Sequence, residues 1–158
     1  MEFWLIKSSM SVKYEHIHSR IWCIFVLLLF SSLGVQSQEY PLPMVLVVHQ
    51  SNKISHLEKK DVIDIYMGRF KTFPDGNPAQ PIDFPASSIE KSVFYQRLVG
   101  KSERNINAYW SRLLFSGRAT PPLKATSKSD VINRVGAKSL AYLHAGDVTK
   151  EMKIVYKL

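Results

Sequence analysis

The sequence is almost devoid of cysteine. Its single cysteine, Cys23, lies within an apolar run near the N-terminus, Ile21 to Leu33 (IWCIFVLLLFSSL). A chain cleaved after this run would have no thiol and could form no disulfide bond. The three histidines that follow, His49, His56 and His144, have no metal-site spacing with one another or with carboxylates. The sequence therefore predicts no metal and no cofactor.

Motifs of the common catalytic machineries are also missing. The chain has no Gly-x-Ser-x-Gly nucleophile motif, no glycine-rich phosphate loop ending in Lys-Ser or Lys-Thr, and no His-Glu-x-x-His pair. No candidate nucleophile has a visible base. We therefore predict that the protein is not an enzyme and has no catalytic residues.

Long runs of one charge are absent, although the chain is basic, with a formal net charge of +8. After residue 37, eighteen basic side chains stand against eleven acidic ones, a net charge of +7. Scattered lysine and arginine fit either a solvated surface or a field that attracts small anions. They do not favour a nucleic-acid partner, which a clustered basic stripe would indicate.

The apolar run itself is too short to favour a membrane span. Arg20 precedes it and Gly34 to Ser37 follows it, and two serines interrupt it after Phe30. A spanning helix needs about 20 consecutive apolar residues. The pattern predicts a signal peptide over residues 1–37, cleaved after Ser37, with a retained anchor as the alternative. Residues 38–158 would then be periplasmic, and no later cysteine is available for lipid attachment; the start codon is Met1 or Met10.

The remaining 121 residues read as one small α/β domain, a mixed sheet flanked by helices. Continuous apolar runs indicate buried strands, and apolar residues at i, i+3 and i+4 indicate helices. Serine three residues before glutamate predicts helix starts at Ser55 and Ser87, and Ser102 is expected to cap a third helix. The predicted elements are strands 44–48, 82–84, 140–143 and 152–158, with the last two paired through the loop 145–151, and helices 56–67, 87–100, 102–117 and 129–135, the last capped by Ser129 or Asp130.

Polar residues at two helix starts are the candidate binding groups. Free N–H groups at a helix N-terminus attract anions, so Ser55 and the pair Ser87 and Ser88 are candidates. In the alternative interpretation each serine only caps its own helix. Arg69 and Arg118 lie beside loop glycines and could pair with an oxyanion. Two further interpretations concern packing: Asp61 and Asp64 form the wet face of the first helix, and Tyr109, Trp110 and Phe115 form core contacts.

Several segments resemble the substrate-binding proteins of phosphate ABC transporters, especially their short, single-unit members. They are the segments Asp61 to Arg69 (DVIDIYMGR), Phe73 to Gly76 (FPDG), Phe94 to Ser102 (FYQRLVGKS) and Tyr109 to Gly117 (YWSRLLFSG). The likeness extends from Val45 to Leu143 with the pieces in the same order. It implies a type-2 periplasmic-binding-protein fold, a small oxyanion such as phosphate as ligand, and a transporter permease as partner.

The resemblance also implies where the ligand would bind. The Ser-Gly-Thr anion motif of the family corresponds to Asp83 through Ser88, which gives Ser87, Ser88 and Asp83 as binding residues here. The glycine of that motif is absent, and the glycine-rich opening of the family has no counterpart before Val45. The family strand Pro-Gly-Ala-Ile-Gly-Tyr is altered over Val135 to Tyr142. The alternative function is an envelope interaction or sensory module that keeps the fold without a ligand.

Overall fold

The computed structural model describes residues 43–158; the predicted signal peptide lies outside these residues. The described residues form five strands, β1 to β5, four α-helices, α1 to α4, and one 3-10 helix. None of the helices in this range is long and apolar enough to cross a membrane. The elements in chain order are β1 (Met44–His49), α1 (Lys59–Tyr66), β2 (Gln80–Asp83), α2 (Ile89–Val99), α3 (Glu103–Phe115), β3 (Leu123–Lys124), α4 (Lys128–Asn133), β4 (Ser139–His144), the 3-10 helix (Ala145–Asp147) and β5 (Met152–Lys157).

The strands form one mixed sheet in the order β3-β2-β4-β1-β5. β1 runs antiparallel to both of its neighbours, whereas β2 is parallel to β3 and to β4. The residues Met44 to Val48 of β1 are all buried, as expected for a strand covered on both faces. The α/β fold class predicted from the sequence is confirmed.

The predicted pairing of the last two strands is wrong. β5 pairs with β1, and β1 separates it from β4. Since β4 and β5 are both antiparallel to β1, they are parallel to each other, and residues 145–151 return along the length of β1. The short connection between β4 and β5 led to the prediction of a hairpin. In the structure each of the two strands pairs with the apolar strand β1 instead.

Three helix starts differ from their predictions by one to three residues. α1 begins at Lys59, and the Asp61 carboxylate accepts a hydrogen bond of 2.9 Å from the N–H of Glu58, so Ser55 is not the cap. α2 is capped by Ser88, not Ser87. α4 is capped by Ser127. In each case another polar residue near the predicted start has the capping geometry.

The short edge strand β3 was not predicted, because its two residues form no apolar run.

The core on one side of the sheet is an aromatic cluster. Phe94 of α2 stacks on Tyr142 of β4 with ring centroids 3.8 Å apart, and Tyr66 of α1 contacts both rings edge-on. The Tyr66 hydroxyl lies within hydrogen-bond distance of the carbonyl oxygens of Ile82 and Leu140. This cluster fixes α1 and α2 against β2 and β4, and so fixes the position of the first turn of α2.

Helix α3 is only partly in the core. Trp110 is buried and Tyr109 donates a hydrogen bond of 2.7 Å to the carbonyl of Met67, but Phe115 is 95% exposed. The prediction that Phe115 is a core residue is therefore wrong. It lies in the last turn of the helix, where Leu114 is also 51% exposed, so these two side chains do not pack on the core of residues 43–158. Asp64 was expected on a wet face; instead it is buried and forms an ion pair with Arg69.

We expect Gly68→Ala to lower the free energy of unfolding by about 1–3 kcal/mol. Gly68 has a φ of 70°, and an added Cβ would lie 2.7 Å from the ring carbon Cη2 of Trp110. Gly117→Ala is the matched control, because Gly117 has a φ of 65° but no heavy atom within 4 Å of an added Cβ. Urea unfolding measures both, and equal losses would contradict a contact with Trp110.

Candidate functional site

Two helices begin at the edge of the sheet where the parallel strands β2, β3 and β4 end. α2 follows β2, and α4 follows β3, whose end is joined to β2 by a hydrogen bond of 2.9 Å from the N–H of Ala125 to the carbonyl of Asp83. Ligands of open α/β sheets bind outside the carboxyl ends of the strands. Helix N-termini at this edge add N–H donors and a favourable dipole for anions. This edge is the candidate site.

The first turn of α2 is built by Ser87 and Ser88. The Ser88 hydroxyl oxygen accepts a hydrogen bond of 3.3 Å from the N–H of Lys91. Ser87 has a φ of 63°, in the left-handed region that glycine adopts without steric cost. The family motif to which this segment is similar contains a glycine. A positive φ at Ser87 is a physical reason for a glycine in such a motif.

Asp83, at the end of β2, is buried in a hydrogen-bonded cluster. Its carboxylate accepts hydrogen bonds from the hydroxyls of Tyr142, at 2.5 Å, and Tyr95, at 3.3 Å. The ammonium of Lys91 lies 3.0 Å from it, and both charged side chains are buried. A buried carboxylate and a buried ammonium each lose their hydration, and the attraction between the two charges offsets that cost. Asp83 and Lys91 form such a pair.

The tyrosines of this cluster remain protonated. Burial raises the pKa of Tyr95 and of Tyr142 well above the ordinary value, and the negative charge of Asp83 raises both further. Their hydroxyls are therefore donors at neutral pH. Asp83 thus accepts hydrogen bonds from two tyrosines and contacts the Lys91 ammonium, and only 3% of the residue is exposed.

Glu103, the first residue of α3, bonds to the first turn of α2. Both of its carboxylate oxygens lie 3.1 Å from the N–H of Ser87. Oxygen Oε1 is also 3.8 Å from the ammonium of Lys91. The N–H of Ser87 thus already binds an oxyanion, namely a carboxylate of the same chain.

The indole N–H of Trp110 is a buried donor beside the same cluster. Trp110 is 6% exposed, and its Nε1 has no hydrogen-bond partner among residues 43–158. The N–H faces the Tyr95 hydroxyl and lowers the pKa of that group, although burial outweighs this effect. Buried N–H groups are almost always paired, and the Tyr95 hydroxyl oxygen is the acceptor that this N–H faces.

The two predicted arginines lie elsewhere. Arg69 follows α1 and its guanidinium pairs with Asp64 at 2.8 Å. Arg118 follows α3 and is exposed. Their segments are neighbours, because an added Cβ on Gly68 would lie 3.1 Å from the Cβ of Ala119. No hydrogen bond or ion pair within residues 43–158 joins either arginine to Asp83, Ser87 or Ser88.

A cleft of about 250 Å³ opens beside the arginine-bearing segments. Phe70, which is 58% exposed, separates it from a second cleft of about 260 Å³. The lining of the first cleft is mixed, with the polar residues Lys71, Gln80 and Thr120 beside Gly68 and Leu123. The second cleft is lined mainly by apolar residues. Within the described part of the chain, no group of three or more histidine, aspartate or glutamate side chains is arranged to hold a metal ion.

One further cation lies at the candidate edge. Lys128 begins α4 and bonds to Asp147 at 2.9 Å, which raises the pKa of its ammonium. It is also within electrostatic reach of Glu90 in the first turn of α2.

Sequence reasoning did not identify Lys91, Glu103, Tyr95 or Trp110 as members of the site. A signal for two of them exists: Lys91 falls on the buried stripe of α2 that continues through Phe94 and Leu98. A charged residue on an apolar stripe indicates a buried ion pair. Glu103 occupies the equivalent place on the stripe of α3 that includes Trp110.

No protein-family model and no curated protein matches the sequence. Solved structures do match. A protein from Clostridium perfringens, described as a candidate substrate-binding protein of a phosphate ABC transporter and solved with bound phosphate, aligns with 72% of this chain and 44% of its own at 14% identity, with a TM-score of 0.57. An ABC-type phosphate transport receptor from Vibrio cholerae aligns with 73% of this chain and 46% of its own at 17% identity, with a TM-score of 0.56.

These likenesses show the fold. The mixed five-stranded sheet with its helices is an α/β fold that matches the folds of these two phosphate-transport proteins. The chain spans less than half the length of either matched structure. At these identities the fold expectation drawn from the sequence motifs is confirmed, and ligand and partner stay predictions.

Proposed function

We propose that the protein binds a small oxyanion, phosphate in the first place, at the N-terminus of α2, and catalyses no reaction. The observation that carries the proposal is the double contact of the Ser87 N–H with a carboxylate at 3.1 Å. Backbone N–H groups that hold a carboxylate have the geometry to hold a phosphate oxygen. The helix dipole and the basic surface favour the same charge.

The proposed ligand groups are few. Ser88 offers its hydroxyl, and the N–H groups of Ser87, Ile89 and Glu90 belong to the helix start, where the helix itself supplies no acceptor. Asp83 acts indirectly, since it holds Lys91 behind the first turn. In this proposal the protein is exported through its predicted signal peptide, works in the periplasm and delivers the anion to an ABC transporter permease.

We expect Ser88→Ala to weaken phosphate binding about 10- to 100-fold. A hydrogen bond to a charged ligand contributes about 1.5–3 kcal/mol, and the loss of the helix cap costs about 1 kcal/mol of stability in addition. Calorimetric titration of the purified protein with phosphate at low salt measures the affinity. Ser111→Ala is the control, because that exposed hydroxyl donates to the carbonyl of Asn107 within α3. Unchanged affinity in Ser88→Ala would count against this site.

A second candidate function is an interaction or sensory module of the cell envelope that has kept the fold without a ligand. It is favoured by the internal contact of Glu103 with Ser87 and by the exposed ring of Phe70 beside a mainly apolar cleft. The same calorimetric experiment separates the two functions. If phosphate and sulfate both give no heat with the wild-type protein and with variants of Glu103, the envelope module is supported.

A further inference from the structure

The carboxylate of Glu103 lies where an external oxyanion would contact the first turn of α2. Each oxygen is 3.1 Å from the N–H of Ser87, and the side chain is largely buried. Glu103 belongs to α3, so this contact is not part of the capping of α2, for which Ser88 is sufficient. A ligand that uses the Ser87 N–H must replace it.

The charges around Glu103 make this replacement necessary on electrostatic grounds as well. Lys91 lies 3.0 Å from Asp83 and 3.8 Å from Glu103, so one ammonium faces two carboxylates. Tyr95, the other titratable group of α2 near Glu103, is neutral because burial raises its pKa. An oxyanion bound beside the Glu103 carboxylate would be a third acidic group facing one ammonium.

Trp110 adds a buried N–H donor to this cluster. It lies two turns after Glu103 on the same face of α3, and its buried N–H has no partner in residues 43–158. It faces the hydroxyl of Tyr95, which itself donates to Asp83. With the Tyr95 oxygen as the acceptor that it faces, this N–H supports the hydroxyl that donates to Asp83.

We infer that Glu103 is an internal competitor for the oxyanion site: its carboxylate occupies the Ser87 N–H and must leave before the ligand binds. This inference rests on the proposed function, because it concerns the same helix N-terminus. Glu103 therefore sets the affinity of the site. Removing it leaves no buried charge unpaired, since Lys91 remains bonded to Asp83.

The test is the affinity of Glu103→Ala for sulfate and for phosphate. Both anions are expected to bind at least about tenfold more tightly than to the wild-type protein, which corresponds to about 1.4 kcal/mol. Glu90→Ala is the matched control, because it removes the same charge from the first turn of α2 but leaves Glu103 on Ser87. Its effect is expected to be smaller.

The location of the ligand is read from the amide resonance of Ser87 in ¹H–¹⁵N spectra. In Glu103→Ala the Ser87 resonance should move during the sulfate titration, a result that a merely structural role of Glu103 would not give. Tight binding to Glu103→Ala with none to the wild type would also support the inference.

Two outcomes would overturn the inference in distinguishable ways. If the wild-type protein binds and Ser88→Ala weakens binding, but Glu103→Ala binds no more tightly, Glu103 does not compete and the proposed function stands. If neither the wild type nor Glu103→Ala binds any oxyanion, the inference and the proposed function are both wrong.

Discussion

Lys91→Ala is expected to lower the free energy of unfolding by about 3–5 kcal/mol, because it leaves the buried carboxylate of Asp83 without its counter-charge. The two side chains are 3.0 Å apart and each residue is only 3% exposed. The hydroxyls of Tyr95 and Tyr142 remain as donors to Asp83 but carry no positive charge. Urea unfolding followed by circular dichroism measures the loss.

Two further variants make this expectation specific to the ion pair. Lys101→Ala removes an exposed lysine that follows α2, and it should change stability by no more than about 0.5 kcal/mol. The double variant Lys91→Met with Asp83→Asn removes both charges and should recover most of the loss, because an uncharged pair needs no counter-charge. A loss below about 1 kcal/mol in Lys91→Ala would show that the buried pair is not what stabilises this edge of the sheet.

Phe94→Ala is expected to cost about 3–5 kcal/mol of stability, since it deletes a fully buried aromatic ring. Phe94 stacks on Tyr142 at 3.8 Å and contacts Tyr66 and Tyr95 edge-on. The cavity would lie between α2 and the sheet, directly beside the tyrosines that hold Asp83. Chemical denaturation measures the effect.

The control for the ring deletion is Gln96→Ala, which truncates an exposed side chain two residues further along the same helix. Gln96→Ala should be nearly neutral, as surface substitutions usually are. If both variants lose less than about 1 kcal/mol, the aromatic cluster is not the main contact between α2 and the sheet.

Local patterns predicted most elements of the fold but not how the strands pair. The apolar run of β1 and the alternation of β5 are visible within a few residues, and both strands occur where predicted. The choice of neighbour is not local: β1 pairs with two strands from the end of the chain, and β4 and β5 do not pair with each other. The two-residue strand β3 is formed by parallel pairing with β2 and has no signal of its own.

The sequence predicted where the candidate site lies, but not that a carboxylate of the same chain binds to it. Helix-start chemistry located the first turn of α2 at Ser87 and Ser88, and the apolar pattern placed Asp83 near the end of a strand. What occupies that turn depends on Glu103, sixteen residues later than Ser87. A glutamate at a helix start also stabilises its own helix through the helix dipole. The sequence alone does not show whether Glu103 has this role or binds to Ser87 at the start of α2.

The central position of β1 has a consequence for how the domain forms. β1 is the first strand among residues 43–158, yet its partners are β4 and β5, the last two. Its hydrogen-bonding edges therefore stay open until residues 139–157 are available, and closing so long a loop slows folding. If the chain is exported from its N-terminus, the sheet cannot assemble while the C-terminal strands are still inside the cell. Such late closure would keep the chain unfolded during passage and leave β1 in need of protection from aggregation until passage is complete.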